Sequence, residues 1–221
     1  MHIPDGFISP VTYAPLLLAE AALLYLAYKK VKEVLGDDGA LGLLATMSAF
    51  SFVVMMFNIP IPGGTSGHAT GVGILAVLFG PWVAFFSLSA VLLLQAALFG
   101  DGGILSFGAN ALCMGFVGAF AAHYAYRVVS RYSNQKVAGF AAGYFGMLLS
   151  SVGVAVILGI QPMFFTDGSG QAIYFPLGLS VTIPAIVGSH ALAFAPIEGV
   201  VTLGVLAAMS RIKNLSIGVA K

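Results

Sequence analysis

Charged residues are scarce in this sequence. Asp, Glu, Lys and Arg make up only 8% of the 221 residues, and nine basic and eight acidic side chains give a net charge of +1. Because there are no basic runs, the sequence lacks the electrostatic pattern of a nucleic-acid-binding protein. Cysteine is rarer still, since Cys113 has no second cysteine for an intrachain disulfide and no zinc-finger spacing occurs.

Apolar residues dominate the composition instead. They account for 59% of the chain, and the mean hydropathy is +1.01. This balance predicts an all-α polytopic membrane protein, with residues 1–221 forming one integral-membrane domain in the lipid bilayer. No positively charged segment or small-residue cleavage site accompanies the first apolar run, so we expect the N-terminal tail to stay on the mature protein.

The number of crossings depends on whether residues 68–99 form one helix or two. A split at Gly80-Pro81-Trp82 places every Lys and Arg on one side of the membrane. The positive-inside rule therefore favours seven transmembrane helices, with the N-terminus outside and the C-terminus in the cytoplasm. The seven apolar runs are 14–28, 39–57, 68–79, 81–99, 104–126, 137–159 and 182–209, and the basic residues are Lys29, Lys30, Lys32, Arg127, Arg131, Lys136, Arg211, Lys213 and Lys221.

The third run is too short to cross a bilayer. A helix over 68–79 would rise about 18 Å, against roughly 30 Å of hydrocarbon. The loop at 60–67 must then dip into the membrane, and His68 is expected to face an interior site open to the outside. The tail over 1–13, in which Pro4, Gly6 and Pro10 are expected to prevent a helix, extends for about 40 Å and can enter the same site.

The first two residues offer an unusual set of metal ligands. The amine of Met1, the deprotonated amide nitrogen of His2 and Nδ1 of the His2 ring can close two fused chelate rings around one ion. An imidazole from His68 would complete a square-planar set of four nitrogens, which Ni(II) and Cu(II) prefer. Because these nitrogens must lose protons, affinity is expected to fall as the pH drops through roughly 6.5. The alternative is that His2 is an incidental residue of a frayed terminus.

Other polar residues lie in or beside the apolar segments, where such groups usually face inward. Asn58, Gln95, Asp101 and Asn110 are expected to hydrogen-bond the tail and hold the metal ligands in place. Ser66 and His190 are expected to support the same site. Ala45 and Ala49 are spaced for close helix contact, and on an outer face they would form a docking seam for a partner.

Four motifs carry a family resemblance: Met1-His2-Ile3-Pro4-Asp5-Gly6, Pro62 through His68, Gln95 through Gly103, and His190 through Thr202. With them the chain resembles the NikM/CbiM family, the substrate-binding membrane components (S components) of energy-coupling-factor transporters for nickel and cobalt, and it looks closer to the nickel branch. The resemblance implies a six-helix core, here 39–209, preceded by one extra helix, here 14–28. It also implies that Met1, His2 and His68 bind the metal.

The resemblance further implies partners in a prokaryotic inner or plasma membrane. These are a transmembrane coupling component, two ATP-binding-cassette ATPase subunits and small accessory membrane proteins. The chain itself has no GxxxxGK[ST] motif for ATP hydrolysis, so it is not expected to be an enzyme.

Two rival functions remain open at this level. Ser66 lies in a GxSG pattern and, with His190, suggests a rhomboid-like intramembrane serine protease. Glu20, His190 and Glu198 suggest instead a stand-alone proton-coupled transporter.

Overall fold

The structure is a computed structural model that describes residues 1–211, and it is mostly helical. Within these residues, six helices are long and apolar enough to cross a bilayer, which confirms the predicted class of polytopic helical membrane protein. The seven crossings and their orientation stay predictions. The long helices are α1 (Pro10–Leu35), α2 (Asp38–Met55), α4 (Pro81–Phe99), α5 (Phe107–Val129), α6 (Gln135–Phe164) and α7 (Leu179–Met209), and the short helix α3 is Val72–Phe79.

The chain breaks between α3 and α4, where the sequence predicts a split. Gly80 has a φ of 80°, a left-handed conformation that glycine adopts without strain, and Pro81 is the first residue of α4. The start of α3 differs from the prediction, because it lies at Val72 and not at His68. With 8 residues, α3 rises only about 12 Å and is too short to span the membrane.

A β-hairpin occupies the predicted irregular loop before α3. Strands β1 (Ile59–Ile61) and β2 (Thr65–Gly67) pair antiparallel, with Ile59 opposite Gly67. Pairing of the two strands satisfies part of their backbone groups, which lowers the cost of placing the hairpin among the helix ends. His68 follows β2 directly and therefore lies in the connection to α3.

Helix α1 begins earlier than predicted. The expectation that Pro10 prevents a helix is wrong, because Pro10 is the first helical residue, a position where a missing N–H costs nothing. Ser9 caps the helix, its Oγ accepting a hydrogen bond of 3.1 Å from the amide of Thr12. The segment free to enter a site is thus 1–9, and α1 extends past the predicted 14–28.

The helices differ sharply in burial. In α1 only Glu20, Ala27 and Val31 are buried, so this helix lies at the periphery. In α3 every residue except Phe79 is buried, because α2, α4, α5, α6 and α7 all pack against it. The short helix is therefore the centre of the bundle, and the space beyond its N-terminus is enclosed by the long helices.

Helices α6 and α7 approach each other closely at Gly143. A methyl group there would lie 2.5 Å from the carbonyl oxygen of Glu198 and 2.7 Å from Thr202 Oγ1. The small residue is therefore required for packing within the chain.

The basic residues of the described part lie at or just beyond helix ends. Lys29, Lys30 and Lys32 are in the last turns of α1, Arg127 is in the last turn of α5, and Arg211 follows α7. Lys213 and Lys221, which the orientation argument also used, lie outside the described residues.

The close approach of α6 and α7 at Gly143 predicts that Gly143→Ala lowers the thermal stability of the protein, whereas Gly204→Ala does not. Both Gly143 and Gly204 lie in long helices, so alanine adds about 1 kcal/mol of helix propensity at either position. Nothing surrounds a Cβ at Gly204, whereas overpacking at position 143 costs about 1–3 kcal/mol. We expect thermal unfolding in detergent to show a lower Tm for Gly143→Ala and no decrease for Gly204→Ala. Equal Tm values for the two variants would contradict the packing.

Candidate metal centre

The first residues of the chain are buried inside the bundle. Met1 and Ile3 have no exposed surface, and His2 is 5% exposed. A free chain terminus is ordinarily the most mobile and solvated part of a protein. Its burial here means that the structure supplies specific partners for its polar groups.

Asn110 holds the tail through its backbone. Its Oδ1 accepts a hydrogen bond of 2.8 Å from the amide of Ile3, and its Nδ2 donates one of 3.0 Å to the carbonyl of Ile3. Ser106 Oγ donates to the same carbonyl at 2.5 Å. The side-chain amide of Asn110 thus satisfies both backbone groups of Ile3, as a neighbouring strand would.

Asp5 fixes the next part of the tail. Its carboxylate accepts hydrogen bonds of 3.0 Å from the amides of Ile104 and Ser106. Gly103 leaves space for this contact, since a methyl group there would lie 2.0 Å from Asp5 Oδ1. Asp5 and Gly103 both belong to the motifs that carry the family resemblance, but the sequence did not indicate that they touch.

Strand β2 receives the two terminal residues. The terminal amine donates a hydrogen bond to the carbonyl oxygen of Ser66 and lies 3.4 Å from Ser66 Oγ. Thr65 Oγ1 donates to the carbonyl of His2 at 3.1 Å. The hairpin therefore positions the amine.

The rings of His2 and His68 stack, with centroids 4.7 Å apart and planes 17° from parallel. Nδ1 of His68 lies 3.0 Å from the carbonyl of Ala69, which leaves Nε2 without a protein partner. The structure thus brings Met1, His2 and His68 together.

Three of the predicted supporting residues connect the His2 ring to the amine. Asp101 Oδ1 lies 3.1 Å from His2 Nδ1, within ion-pair distance but without an aligned hydrogen bond. Asn58 donates to Asp101 Oδ2 at 2.7 Å, and Ser66 Oγ donates to Asn58 Oδ1 at 2.9 Å. The chain of contacts closes on the amine through Ser66.

Gln95 and His190 complete the surroundings. Both are fully buried. Gln95 lies beside His2, and His190 is close enough to act electrostatically on His68. His190 lies in α7 at the start of a π-helical stretch, His190–Phe194, and such distortions are frequent at functional sites.

Unpartnered polar atoms concentrate at this place. Among residues 1–211, seven side chains carry a buried nitrogen or oxygen without a hydrogen-bond partner, and four of them lie at His2 or in its surroundings. Those four are His2, His68, Gln95 and His190. Buried polar groups normally have partners, so this concentration is the property expected of a ligand site.

Side chains alone do not make a metal site here. Within residues 1–211, no three His, Cys, Asp or Glu side chains converge closely enough to hold an ion. The buried amine and the amide of His2 are the backbone nitrogens beside the two rings.

The chain matches the family model described as the cobalt uptake substrate-specific transmembrane region over residues 2–215. The chain belongs to this family, CbiM. It is 45% identical over 217 residues to the fused nickel transport protein NikMN of Rhodobacter capsulatus, and 41% identical over 213 residues to the probable fused nickel transport protein LarMN of Lactiplantibacillus plantarum. Each match covers 96% of this chain but only 62% and 65% of the relatives, so the chain spans less than two thirds of their length.

A solved structure confirms the fold of this CbiM-family chain. A crystal structure described as that of a transition metal transporter is 40% identical in sequence and has a TM-score of 0.93. The match covers 98% of this chain and 96% of the chain in that structure. The two curated relatives are bacterial and are named as transport proteins, not enzymes, which agrees with the prediction of a multi-pass, non-enzymatic chain in a prokaryotic membrane.

Burial keeps the nitrogens of the site uncharged. It lowers the pKa of the terminal amine from 8.0 to about 4, although Asp101 opposes this change. Burial also lowers the pKa of His2, against the opposing effect of the nearby Asp101 carboxylate. The pKa of His68 is well below its ordinary value, first through burial and then through the amine and His2. Neutral nitrogens have free lone pairs, which a cation requires.

Burial of the docked amine and imidazoles favours their neutral forms, which weakens competition from protons for these nitrogens. The expected fall in metal affinity toward acid pH stays a prediction, because the amide of His2 must also lose its proton to bind the metal. Asp101 stays ionised: burial alone would raise its pKa, but the contacts with His2 and Asn58 lower it.

Acid is predicted to release the tail in the metal-free protein. The free amine binds a proton below pH 8.0 and the docked amine only near pH 4, so docking is fully favoured above pH 8.0 and weakens as the pH falls toward 4. Hydrogen exchange at the Ile3 amide, corrected for its intrinsic rate, measures this equilibrium. Its protection should decrease between about pH 8 and pH 5, while amides in the middle of α4 stay protected. Constant protection at Ile3 would contradict the burial of a neutral amine.

Proposed function

We propose that this chain binds a divalent transition-metal ion, Ni(II) in preference to Co(II), as the substrate-specific component of an uptake transporter. The observation that supports this most is the convergence of a buried terminal amine with the unpartnered nitrogens of His2 and His68. The names of the relatives point to the same class of substrate, since one is named a nickel transport protein and the other a probable nickel transport protein. The metal is the transported substrate in this proposal, and no separate cofactor is required.

The proposed ligand set has four nitrogens in a plane. Met1 contributes its amine, His2 its amide and Nδ1, and His68 one ring nitrogen. Nδ1 of His2 lies beside Asp101 in this structure, so closing the chelate includes a rotation of the His2 ring away from that carboxylate. A square-planar set of nitrogens suits Ni(II) and disfavours Zn, Mg and Ca, which supports the nickel assignment.

The supporting residues act on the ligands and not on the metal in this proposal. Asn110 holds the tail, Ser66 holds the amine, and Asp101 with Asn58 holds the His2 ring before the metal arrives. Such partners typically affect metal affinity by about 10–100-fold. Gln95 and His190 are proposed to line the same space with their unpartnered atoms.

The energy for uptake is proposed to come from partner proteins, since the 221 residues contain no nucleotide-binding motif. These are a transmembrane coupling component, two ATPase subunits and a small accessory membrane protein. The tail 1–9, helix α1 and the bundle of α2 through α7 are proposed to form one integral-membrane unit, with the tail on the outer side. Ala45 and Ala49 are both exposed on α2, where they are available to a partner helix.

The contacts disfavour both rival functions. Ser66 Oγ donates to Asn58 and His190 Nδ1 contacts the carbonyl of Ile186, so neither forms the hydrogen bond of a Ser-His dyad. Glu20 is bound to Ser89, and Glu198 is bound to backbone amides near α3, so the carboxyl groups of the proton-transport hypothesis have separate partners.

Isothermal titration with Ni(II) and Co(II) tests the ligand set. His2→Gln and His68→Gln remove proposed ligands, and each should weaken Ni(II) binding by more than the roughly 100-fold associated with supporting residues. His123→Gln is the matched control, because His123 lies near the far end of α5 and contacts Tyr124 instead. Unchanged Ni(II) affinity in His68→Gln would overturn the proposed site, and tighter Co(II) binding would overturn the metal preference.

A pull-down with the purified coupling component tests the docking seam. Replacing Ala45 and Ala49 together by Leu should reduce capture, because bulky side chains prevent close helix approach. Ala14 and Ala21, exposed on α1, provide the control pair for the same substitution. Capture that is equally strong for both double variants would count against α2 as the docking helix.

A further inference from the structure

A buried carboxyl group lies beneath the proposed metal centre. Glu198 in α7 is completely buried. Its Oε2 accepts hydrogen bonds of 2.7 Å from the amide of Thr70 and 3.2 Å from the amide of Gly71, and its Oε1 accepts one of 3.4 Å from the amide of Gly73.

These three amides belong to the N-terminus of α3. The first N–H groups of a helix have no partner within the helix and carry a partial positive charge. Gly71, at the cap position of α3, has no side chain to satisfy them. Thr70 Oγ1 accepts a hydrogen bond of 3.2 Å from the amide of Val72, and Glu198 supplies from α7 the acceptors for the amides of Thr70, Gly71 and Gly73.

The capped segment leads directly to His68. Only Ala69 separates His68 from Thr70, and no helix or strand holds this connection. The other end of this connection, at the first turn of α3, is closely packed against α7. A methyl group at Gly73 would lie 2.4 Å from Thr202 Oγ1. The position of the His68 backbone therefore depends on the hydrogen bonds that Glu198 accepts.

We propose that Glu198 is a positioning residue for the metal site: by binding the backbone that follows His68, it sets the direction of the His68 imidazole and links that ligand to helix α7. This inference rests on the proposed function, because it requires that His68 bind the metal. It adds a residue on α7, outside the ligand set, on which the geometry of the bound ion depends.

The other buried glutamate provides a matched comparison. Glu20 is 1% exposed and accepts a hydrogen bond of 2.8 Å from Ser89 Oγ, but it binds no backbone amide. Replacing either glutamate by glutamine keeps the shape and removes one acceptor oxygen. At Glu198 the new NH₂ group would face backbone N–H groups, which it cannot bind.

The experiment compares Glu198→Gln, Glu20→Gln and His68→Gln in the full-length protein with its native N-terminus. Ni(II) titration and the absorption spectrum of bound Ni(II) report affinity and ligand geometry. Hydrogen exchange at Thr70, Gly71 and Gly73 reports the cap without metal. For Glu198→Gln we expect about 10–100-fold weaker binding, a shifted spectrum and faster exchange at these amides. Glu20→Gln should bind Ni(II) as the unaltered protein does.

The failures of the two proposals are distinguishable. Unaltered affinity and spectrum in Glu198→Gln, together with lost binding in His68→Gln, would overturn the positioning role alone. Full binding in His68→Gln would overturn the ligand set instead. If Glu198→Gln does not fold, Glu198→Asp replaces it: the shorter carboxylate should show an intermediate loss of affinity, and unchanged affinity would contradict the inference.

Discussion

The site depends on one constraint, the burial of a chain terminus whose amine and backbone groups need hydrogen-bond partners. A charged amine enclosed by protein is costly, and each unpaired amide adds to that cost. The structure meets the constraint by keeping the amine neutral, by giving it the carbonyl of Ser66, and by pairing both backbone groups of Ile3 with Asn110. The same arrangement leaves the nitrogens of His2 and His68 free for a cation.

The space for this tail comes from the shortness of α3. Eight residues surrounded by much longer helices leave a gap between the N-terminus of α3 and the nearby ends of its neighbours. The hairpin of β1 and β2 and the tail fill that gap with polar backbone. Irregular structure at such a depth is tolerated because neighbouring protein satisfies its hydrogen bonds. Glu198 accepts a hydrogen bond from the backbone before α3, and Asn110 donates one to the backbone of the tail.

Sequence patterns predicted the long helices well, but not where each helix begins. Apolar runs sufficed for the six long helices, and Gly80-Pro81 marked a break because both residues restrict the backbone. The predicted starts of α1 and α3 were wrong. For α1 the reason is that Pro10 suits both the end of an extended segment and the first turn of a helix. No local sequence pattern predicted the contact of Asp5 with Gly103, because these two residues are far apart in the chain.

Amino-acid order alone determined that this is a polytopic helical membrane protein, since composition and the spacing of apolar runs depend on no distant contact. It also determined which nitrogens are available at the terminus, because Met1 and His2 are adjacent. Only the tertiary structure decided that His68 stacks on His2, that Asp101 faces its ring, and that Glu198 caps α3. These partners come from separate helices and loops, and only packing around the short central helix brings them together.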